Sequence, residues 1–433
     1  MNAPTDPADN PHSAFAEDER WIRPDPSGWW RGWLAAAPHD GRGLRRWLLW
    51  IRWTGRKSAG ARALTALDLL LKPIFSVKGA LIEMRTYGPR VKQTHGVDGF
   101  TQFCGLVKTQ LVAGLPPIAY YKFQLYLPER RAGIGDYFEQ TTQILHLLRN
   151  RLPDASDRMV FRAKRQFEDW CRDHGLDTVH NLLEVMGDEV LYRSDVPVPA
   201  GDLFSKPSNA GLGKGVGKWR HELVDGRSLW RGEDGVARDL AGLEAELKRQ
   251  SQEWGRPFVL QACLTNHPAI RSLGNGSLCT LRVMTLRNYP DAAEPLVMVL
   301  RIGTGDSPAD NFDLGGIATP IDLDTGRCGR AIAKRGDYPL HRLTMNPDNG
   351  AVIEGLELPY WREVLALAVR AHTLLQYPTP VVGWDVAVLA DGPILIEANG
   401  LPCPYVAQMP TGVPLGGSRY AGCLVFKSAF GLD

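Results

Sequence analysis

The chain has 433 residues, enough for roughly three domains at about 150 residues each. It is 44% apolar, 23% charged and 9% aromatic, the make-up of a globular protein, which excludes a wholly disordered, fibrous or membrane-embedded chain. Fifty Lys and Arg against forty-eight Asp and Glu leave a net charge of +2, too even for binding nucleic acid through overall charge, so basic character has to be local.

The seven cysteines are odd in number and scattered, with no CxxC pair. That argues against a disulfide framework or a structural zinc and fits a reducing compartment. Residues 1–28 are polar and rich in Pro, Asp, Ala and Asn, a composition expected to lack fixed structure and to carry no secretory signal. No run approaches the roughly 18 uninterrupted apolar residues of a membrane span, so a cytoplasmic location is expected. Between Trp29 and Arg62 tryptophans interleave with arginines, and Trp47, Trp50, Ile51 and Thr54 recur at helical spacing. That stripe either packs on the rest of the protein, as amphipathic helices of soluble proteins usually do, or lies peripherally on an anionic membrane surface. Residues 64–150 read as mainly helical, with Tyr120, Tyr121 and Arg130 as substrate-contact candidates that specify no reaction.

From about residue 158 a helix around FRAKRQFEDWCRDHG leads into short β-branched runs. A later helix over 360–376 carries Trp361, Val364, Leu365, Ala368 and Leu375 on one stripe. Helices mixed with strands in this way imply an α+β or α/β enzyme domain. Within it, LFSKPSNAGLGKGVG (203–217) ends a strand-like run in a glycine-rich loop. Glycines admit backbone N–H groups to phosphate oxygens, and Lys206 and Lys214 add charge for a polyphosphate. The spacing fits neither the P-loop nor the dinucleotide fingerprint, and an ordinary surface loop has the same composition.

VVGWDVAVLADGPILIEANGLP (381–402) reads as a hairpin with Asp391-Gly392 at its turn. Alternation puts Gly383, Asp385 and Ala387 on one face of the first strand and Leu395, Glu397 and Asn399 on one face of the second, with Asp385 opposite the 397–399 segment. Two carboxylates and an amide oxygen this close repel unless one is protonated or a cation sits between them. Hard oxygen donors favour Mg2+, with Mn2+ also suited. A solvated sheet edge is the competing reading.

Taken in order, these segments resemble the ATP-grasp family from about Phe161 to Pro404. SKPSNAGLGKGV, LCTLRVMTL, NFDLGGIATPIDLDTG and GWDVAVLADGPILIEANGLP further resemble its sugar-transfer-associated subgroup. The resemblance implies an ATP-grasp fold, two α+β subdomains clasping ATP over residues 158–433 with a lid at about 180–262. It would follow a disordered 1–28 and a mainly helical 29–157. By the same resemblance Lys164 and Lys206 are nucleotide lysines, and Ser208, Gly211, Gly213, Lys214 and Gly215 belong to the loop that closes over the triphosphate. Gln261 and Ala262 form the adenine hinge, where many relatives have Glu; His267 follows, either within reach of the ribose or, as a lone histidine more often is, a surface or capping residue. Arg282, Lys206 and Asn311 stand where the family handles the transferred phosphate, and Asp385, Glu397 and Asn399 match its magnesium ligands. Thr280 departs from the acid that several relatives carry two residues before the arginine. The implied reaction joins a small-molecule carboxylate to an amine, or less often a thiol, through an acyl phosphate with release of ADP, in connection with polysaccharide or cell-envelope biosynthesis. A phosphotransferase and a non-catalytic nucleotide-binding factor on the membrane surface are the alternatives, and no nucleic-acid partner is expected.

Overall fold

The computed structural model describes residues 59–138 and 163–420, apart from short stretches at 209–214, 275, 289–290, 306–311, 313–314, 334–341, 377–378 and 401. The segment expected to lack structure (1–28), the Trp/Arg-rich stretch up to residue 58 and the helical run expected over 139–150 lie outside the described residues.

A seven-stranded sheet is built from β1 (Asn181–Met186), β2 (Glu189–Arg193), β3 (Leu203–Pro207), β4 (Gly217–Val224), β5 (Arg227–Arg231), β6 (Ala237–Arg238) and β7 (Phe258–Ala262), in the order β2-β1-β7-β3-β4-β5-β6. A six-stranded sheet contains β8 (Thr280–Leu286), β9 (Glu294–Ile302), β10 (Ile317–Ile321), β11 (Ile332–Ala333), β12 (Val381–Leu389) and β13 (Gly392–Asn399), in the order β11-β10-β9-β8-β12-β13. All strand pairs in both sheets are antiparallel. Of the two classes left open by the sequence, this is α+β.

Nine helices among the described residues surround these sheets: α1 (Ala59–His95), α2 (Gly99–Leu111), α3 (Ala119–Lys122), α4 (Pro128–Arg131), α5 (Lys164–Asp173), α6 (Leu240–Trp254), α7 (Pro268–Arg271), α8 (Trp361–Leu374) and α9 (Tyr405–Thr411). Local chemistry sets their ends. In α6 the Asp239 carboxylate accepts from the Gly242 backbone N–H, and Gly255 closes the helix at φ 60°, where an L side chain would be strained. Leu243 and Leu247 then join Leu183, Val185, Leu203, Trp219, Phe258 and Leu260 in the small core of the seven-stranded sheet.

The six-stranded sheet is covered on both faces, which is why β8 (TLRVMTL) is buried throughout, its polar Thr280, Arg282 and Thr285 included. On one face Leu281, Val283, Leu300, Val382, Trp384 and Val386 pack with Phe167 and Cys171 of α5 and with Trp361, Val364 and Ala368 of α8. On the other, Met284, Leu286, Val297, Val299 and Val381 pack with the aromatic-rich segment 113–138 and with α9. Tyr120 and Tyr121, substrate-contact candidates by sequence, are core residues here, and the Tyr121 hydroxyl donates to Gln102 Oε1 at 2.8 Å. Gln408 of α9 stitches this cover down, its Oε1 accepting from Phe138 N (3.1 Å) and its Nε2 donating to Phe138 O (2.5 Å). Alternation along β8, β9 and β12 puts Arg282, Arg301 and Asp385 on this second face, beside the helical cover. No helix among the described residues is long and apolar enough to cross a membrane.

Candidate functional site

The seven-stranded sheet contributes cations. In β3, Leu203, Ser205 and Pro207 are buried while Phe204 and Lys206 point the other way, as the period of two requires. Lys164 opens α5, and its Nζ donates to the Ser208 carbonyl at 3.1 Å. Burial pushes the Lys164 ammonium down from its ordinary value, against the pull of Glu397 and Glu184. Burial, reinforced by Lys164, pushes Lys206 down to about 8, while Glu397 and Asp385 act in the opposite sense. Two ammonium groups thus share a cleft with two carboxylates from the other sheet. Ser208 follows directly, its N–H donating to Pro257 O at 2.7 Å. Its hydroxyl is buried with no hydrogen-bond partner among the described residues. At the far end of the glycine loop Gly215 has φ +71°, and a Cβ there would lie 3.1 Å from Pro207 Cγ and from Trp254 Cη2. A larger residue at 215 would strain the backbone and press on both rings. Gly211, Gly213 and Lys214 lie outside the described residues.

The β12–β13 hairpin contributes the acids, with two corrections to the sequence reading. Leu389 pairs with Gly392, so Ala390 and Asp391 form the tip and Gly392, at φ +136°, opens the return strand. The register also slips between Asp385 and Val386: Val386 pairs with Leu395, but Asp385 pairs with Glu397, leaving Ile396 as an extra residue. This bulge reverses the parity of β13. Leu395 and Ala398 both enter the core with Trp384 and Val386, whereas Glu397 and Asn399 turn to the opposite face beside Asp385 and Gly383. Without the bulge Glu397 would share the apolar face with Leu395. Re-aiming one side chain next to a site is a recurring use of a β-bulge.

Asp385, 4% exposed, is held by two arginines. Arg282 donates from Nε to Oδ1 (2.6 Å) and from Nη2 to Oδ2 (3.3 Å), and Arg301 Nη2 donates to Oδ2 at 3.0 Å. Burial alone would raise this carboxyl, but the charges and hydrogen bonds of the two guanidinium groups outweigh it and hold it at about 2. Arg301 is steadied in turn by Thr280, whose Oγ1 accepts from its Nε at 3.1 Å. An acid at 280 would compete with Asp385 for that guanidinium, so threonine suits the pairing seen here. Glu397 is less engaged: the Asn399 amide approaches its Oε1 at 3.5 Å and the Gly383 carbonyl at 3.4 Å, both from Nδ2, and Asn399 Oδ1 has no hydrogen bond among the described residues.

Arg282 lies across Gly383, where a Cβ would come 3.2 Å from Arg282 Cδ and 2.8 Å from Pro402 Cβ. Gly383→Ala should therefore destabilise the protein by about 1–3 kcal/mol, the usual cost of overpacking. Urea unfolding checks this. An unchanged midpoint would show that Pro402 yields freely.

The sequence pattern described as sugar-transfer associated ATP-grasp matches residues 148–418, well over half of the chain. The chain belongs to that family. Among curated proteins none matches. Similar solved structures include D-alanine–D-alanine ligase from Bacillus anthracis, with 15% identity over 63% of this chain and 68% of that one and a TM-score of 0.35. L-amino acid ligase from Bacillus licheniformis follows at 11%, 64%, 52% and 0.34. N5-carboxyaminoimidazole synthase from Aspergillus clavatus, in complex with ADP and a ribonucleotide, stands at 10%, 64%, 59% and 0.31. Likenesses this distant carry no weight for what the chain does.

Among the remaining ATP-grasp expectations, Gln261 is buried near the end of β7, with Ala262 beside it half-buried. Its Nε2 donates to Asn181 Oδ1 at 2.8 Å, while Asn181 Nδ2 donates to Glu168 Oε2 at 2.7 Å. A carboxylate that only accepts fixes the Asn181 amide, and Asn181 fixes that of Gln261. Sequence reasoning missed this relay because Glu168 and Asn181 sit on different elements and carry no motif. His267 stands apart, at the turn end of the hairpin: its N–H donates to Val388 O (2.8 Å), its Nδ1 caps α7 by accepting from Ala269 N (3.2 Å), and its ring lies edge-on to Tyr360. Asn311 lies outside the described residues. The sequence offers Arg301 and Arg335 as arginines that could face the site without placing either: strand pairing brings Arg301 to Asp385, and Arg335 lies outside the described residues.

Proposed function

We propose that the chain uses ATP to activate a small-molecule carboxylate as an acyl phosphate, which an amine then captures to give an amide, ADP and phosphate. The observation that carries this reading is the convergence of Lys164, Lys206 and the unpartnered Ser208 hydroxyl with Glu397, Asp385, Arg282 and Arg301 across one cleft. A carboxylate is a poor electrophile because its charge is delocalised and its leaving group would be oxide. Phosphorylation supplies a good leaving group, and the protein's task is then chiefly positioning and charge neutralisation. Lys164 and Lys206 bind the triphosphate, and the Ser208 hydroxyl is free to hydrogen-bond it. Arg282 and Arg301, anchored by Asp385, face the charge that develops on the transferred phosphoryl group.

The donor set also fits Mg2+. Glu397 Oε and Asn399 Oδ1 are hard oxygens on the cleft face. Asp385 has three of its roughly four lone-pair positions taken by guanidinium N–H groups, so it contributes one ligand at most. When bound, Mg2+ supplies Lewis-acid neutralisation of the phosphate oxygens. The family's description as sugar-transfer associated supports a use of this product in polysaccharide or cell-envelope biosynthesis.

The test incubates the protein with ATP, Mg2+, hydroxylamine and a mixed panel of amino acids, sugar acids and dicarboxylates. ADP together with a hydroxamate is the expected outcome. A phosphate ester without hydroxamate would assign phosphoryl transfer to an alcohol instead, and the absence of any Mg2+-dependent thermal shift with ATP would remove the nucleotide site.

A further inference from the structure

Arg130 and Arg342 form a second cationic site that the nucleotide chemistry does not use. Arg342 reaches the C-terminal end of α9, donating to the carbonyls of Met409 (3.1 Å) and Pro410 and to Gln124 Oε1 (3.4 Å). Arg130 approaches the same corner: a Cβ on Gly412 would fall 2.3 Å from its Nη2, and its Nη1 reaches Phe123 O at 3.4 Å. The Tyr137 hydroxyl, which donates to Gly412 O at 2.7 Å, lies within the field of both guanidinium groups.

The two cations are close enough to repel. Burial pushes Arg342 down to about 10, and Arg130 is the next cause. Among the described residues neither forms an ion pair with a carboxylate. What faces them instead is the end of a seven-residue helix, worth about half a negative charge, against two full positive ones. Each group offers five N–H donors, and among the described residues only some of them are used. Next to this pair the Nε of Arg131 is buried without a hydrogen-bond partner among the described residues, while its Nη2 donates to Tyr126 O at 2.9 Å. Among the described residues the corner has donors and positive charge in excess of its ion-pairing carboxylates.

Its position supplies the meaning. α9 starts six residues after Asn399 and lies over β9 and β10 on the sheet face that carries Arg282, Arg301 and Asp385. Seven residues at 1.5 Å each span about 10 Å, and the pair sits at the C-terminal end of α9, the end away from the segment that follows Asn399. We propose that Arg130 and Arg342 anchor an anionic group, carboxylate or phosphate, at the far end of the acyl or amine substrate whose reacting end lies beneath Arg282. This placement rests on the ligase reading above, but the anion site itself does not.

Thermal unfolding of the full chain in inorganic phosphate and in malonate, each against chloride at equal ionic strength, tests it. Wild type and Lys206→Met, in which the triphosphate site is impaired, should both be stabilised by about 2 °C or more with millimolar anion. Arg342→Gln and Arg130→Gln should lose that shift while keeping the shift with Mg2+ and ATP. The anion giving the larger shift in Lys206→Met, where the triphosphate site is impaired, tells phosphate from carboxylate. An anion shift that disappears in Lys206→Met and survives in both arginine variants, or no anion shift at all, would reduce the pair to a helix-end clamp and overturn the proposal. Arg130→Gln leaves the α9 contacts of Arg342 in place, so it decides the question even if Arg342→Gln does not fold. Loss of the ATP shift in wild type alongside a retained anion shift would instead count against the nucleotide reading alone.

Discussion

Glu397→Gln should reduce Mg2+-dependent ADP formation by about 100-fold or more while leaving the fold intact. Residues that merely support a metal ligand typically cost 10–100-fold when changed, and a ligand itself should reach at least the top of that range. The variant also removes the counter-charge that supports Lys164 and Lys206, so both ammonium groups would lose protons more readily and hold the triphosphate less well. Stability should hardly change, because Glu397 is only half-buried and, among the described residues, its side chain is engaged only by the long approach of the Asn399 amide at 3.5 Å and by the field of the two lysines. Steady-state ADP release and a thermal scan, run together, separate the two effects. Near-normal turnover would remove Glu397 from the site. A fall in activity matched by a large fall in melting temperature would make its role structural.

The legibility of this site in the sequence followed the range of the interactions involved. Lys206, Ser208 and Gly215 were visible because a strand followed by a glycine-rich loop is a local pattern, and Asp385, Glu397 and Asn399 because a hairpin pairs residues close in sequence. Even there the route to Glu397 was wrong. Strict alternation put it with Leu395, and the one-residue bulge at Ile396 that brings it to Asp385 has no signature in ILIEAN. What depends on contacts between distant segments was not legible. Examples are the pairing of Arg301 with Asp385, the anchoring of Gln261 through Asn181 to Glu168, and the cover that residues 113–138 form over the six-stranded sheet. Tyr120 and Tyr121 show the ambiguity plainly. A tyrosine pair between turn signals suits a binding loop or a core, and only the packing decides. His267 was a motif neighbour whose position at a short helix's start gave it a capping role.

The largest stability effect should come from Asp385→Asn. The wild-type carboxylate neutralises two guanidinium groups, of which Arg282 is 9% exposed. An amide in its place has one acceptor oxygen for the two arginines and turns an N–H group toward a donor. Removing one partner of a buried ion pair costs about 3–5 kcal/mol, or roughly 6–20 °C in melting temperature for the cooperative unit that contains the six-stranded sheet. The dependence on pH distinguishes this from a simple packing defect. Asp385 is held at about 2 against an ordinary 3.8, so its contribution is fully present above about pH 4 and is lost as the pH falls through about 2. The asparagine variant has no such proton to take up. Its deficit relative to wild type should therefore be constant at neutral pH and narrow below about pH 4, by about 2 kcal/mol on reaching about pH 2, because the displacement from 3.8 to about 2 is worth about 2.4 kcal/mol at about 1.36 kcal/mol per pKa unit. A deficit that stayed the same between about pH 6 and about pH 2.5 would show that the ionised carboxylate is not what the two arginines require.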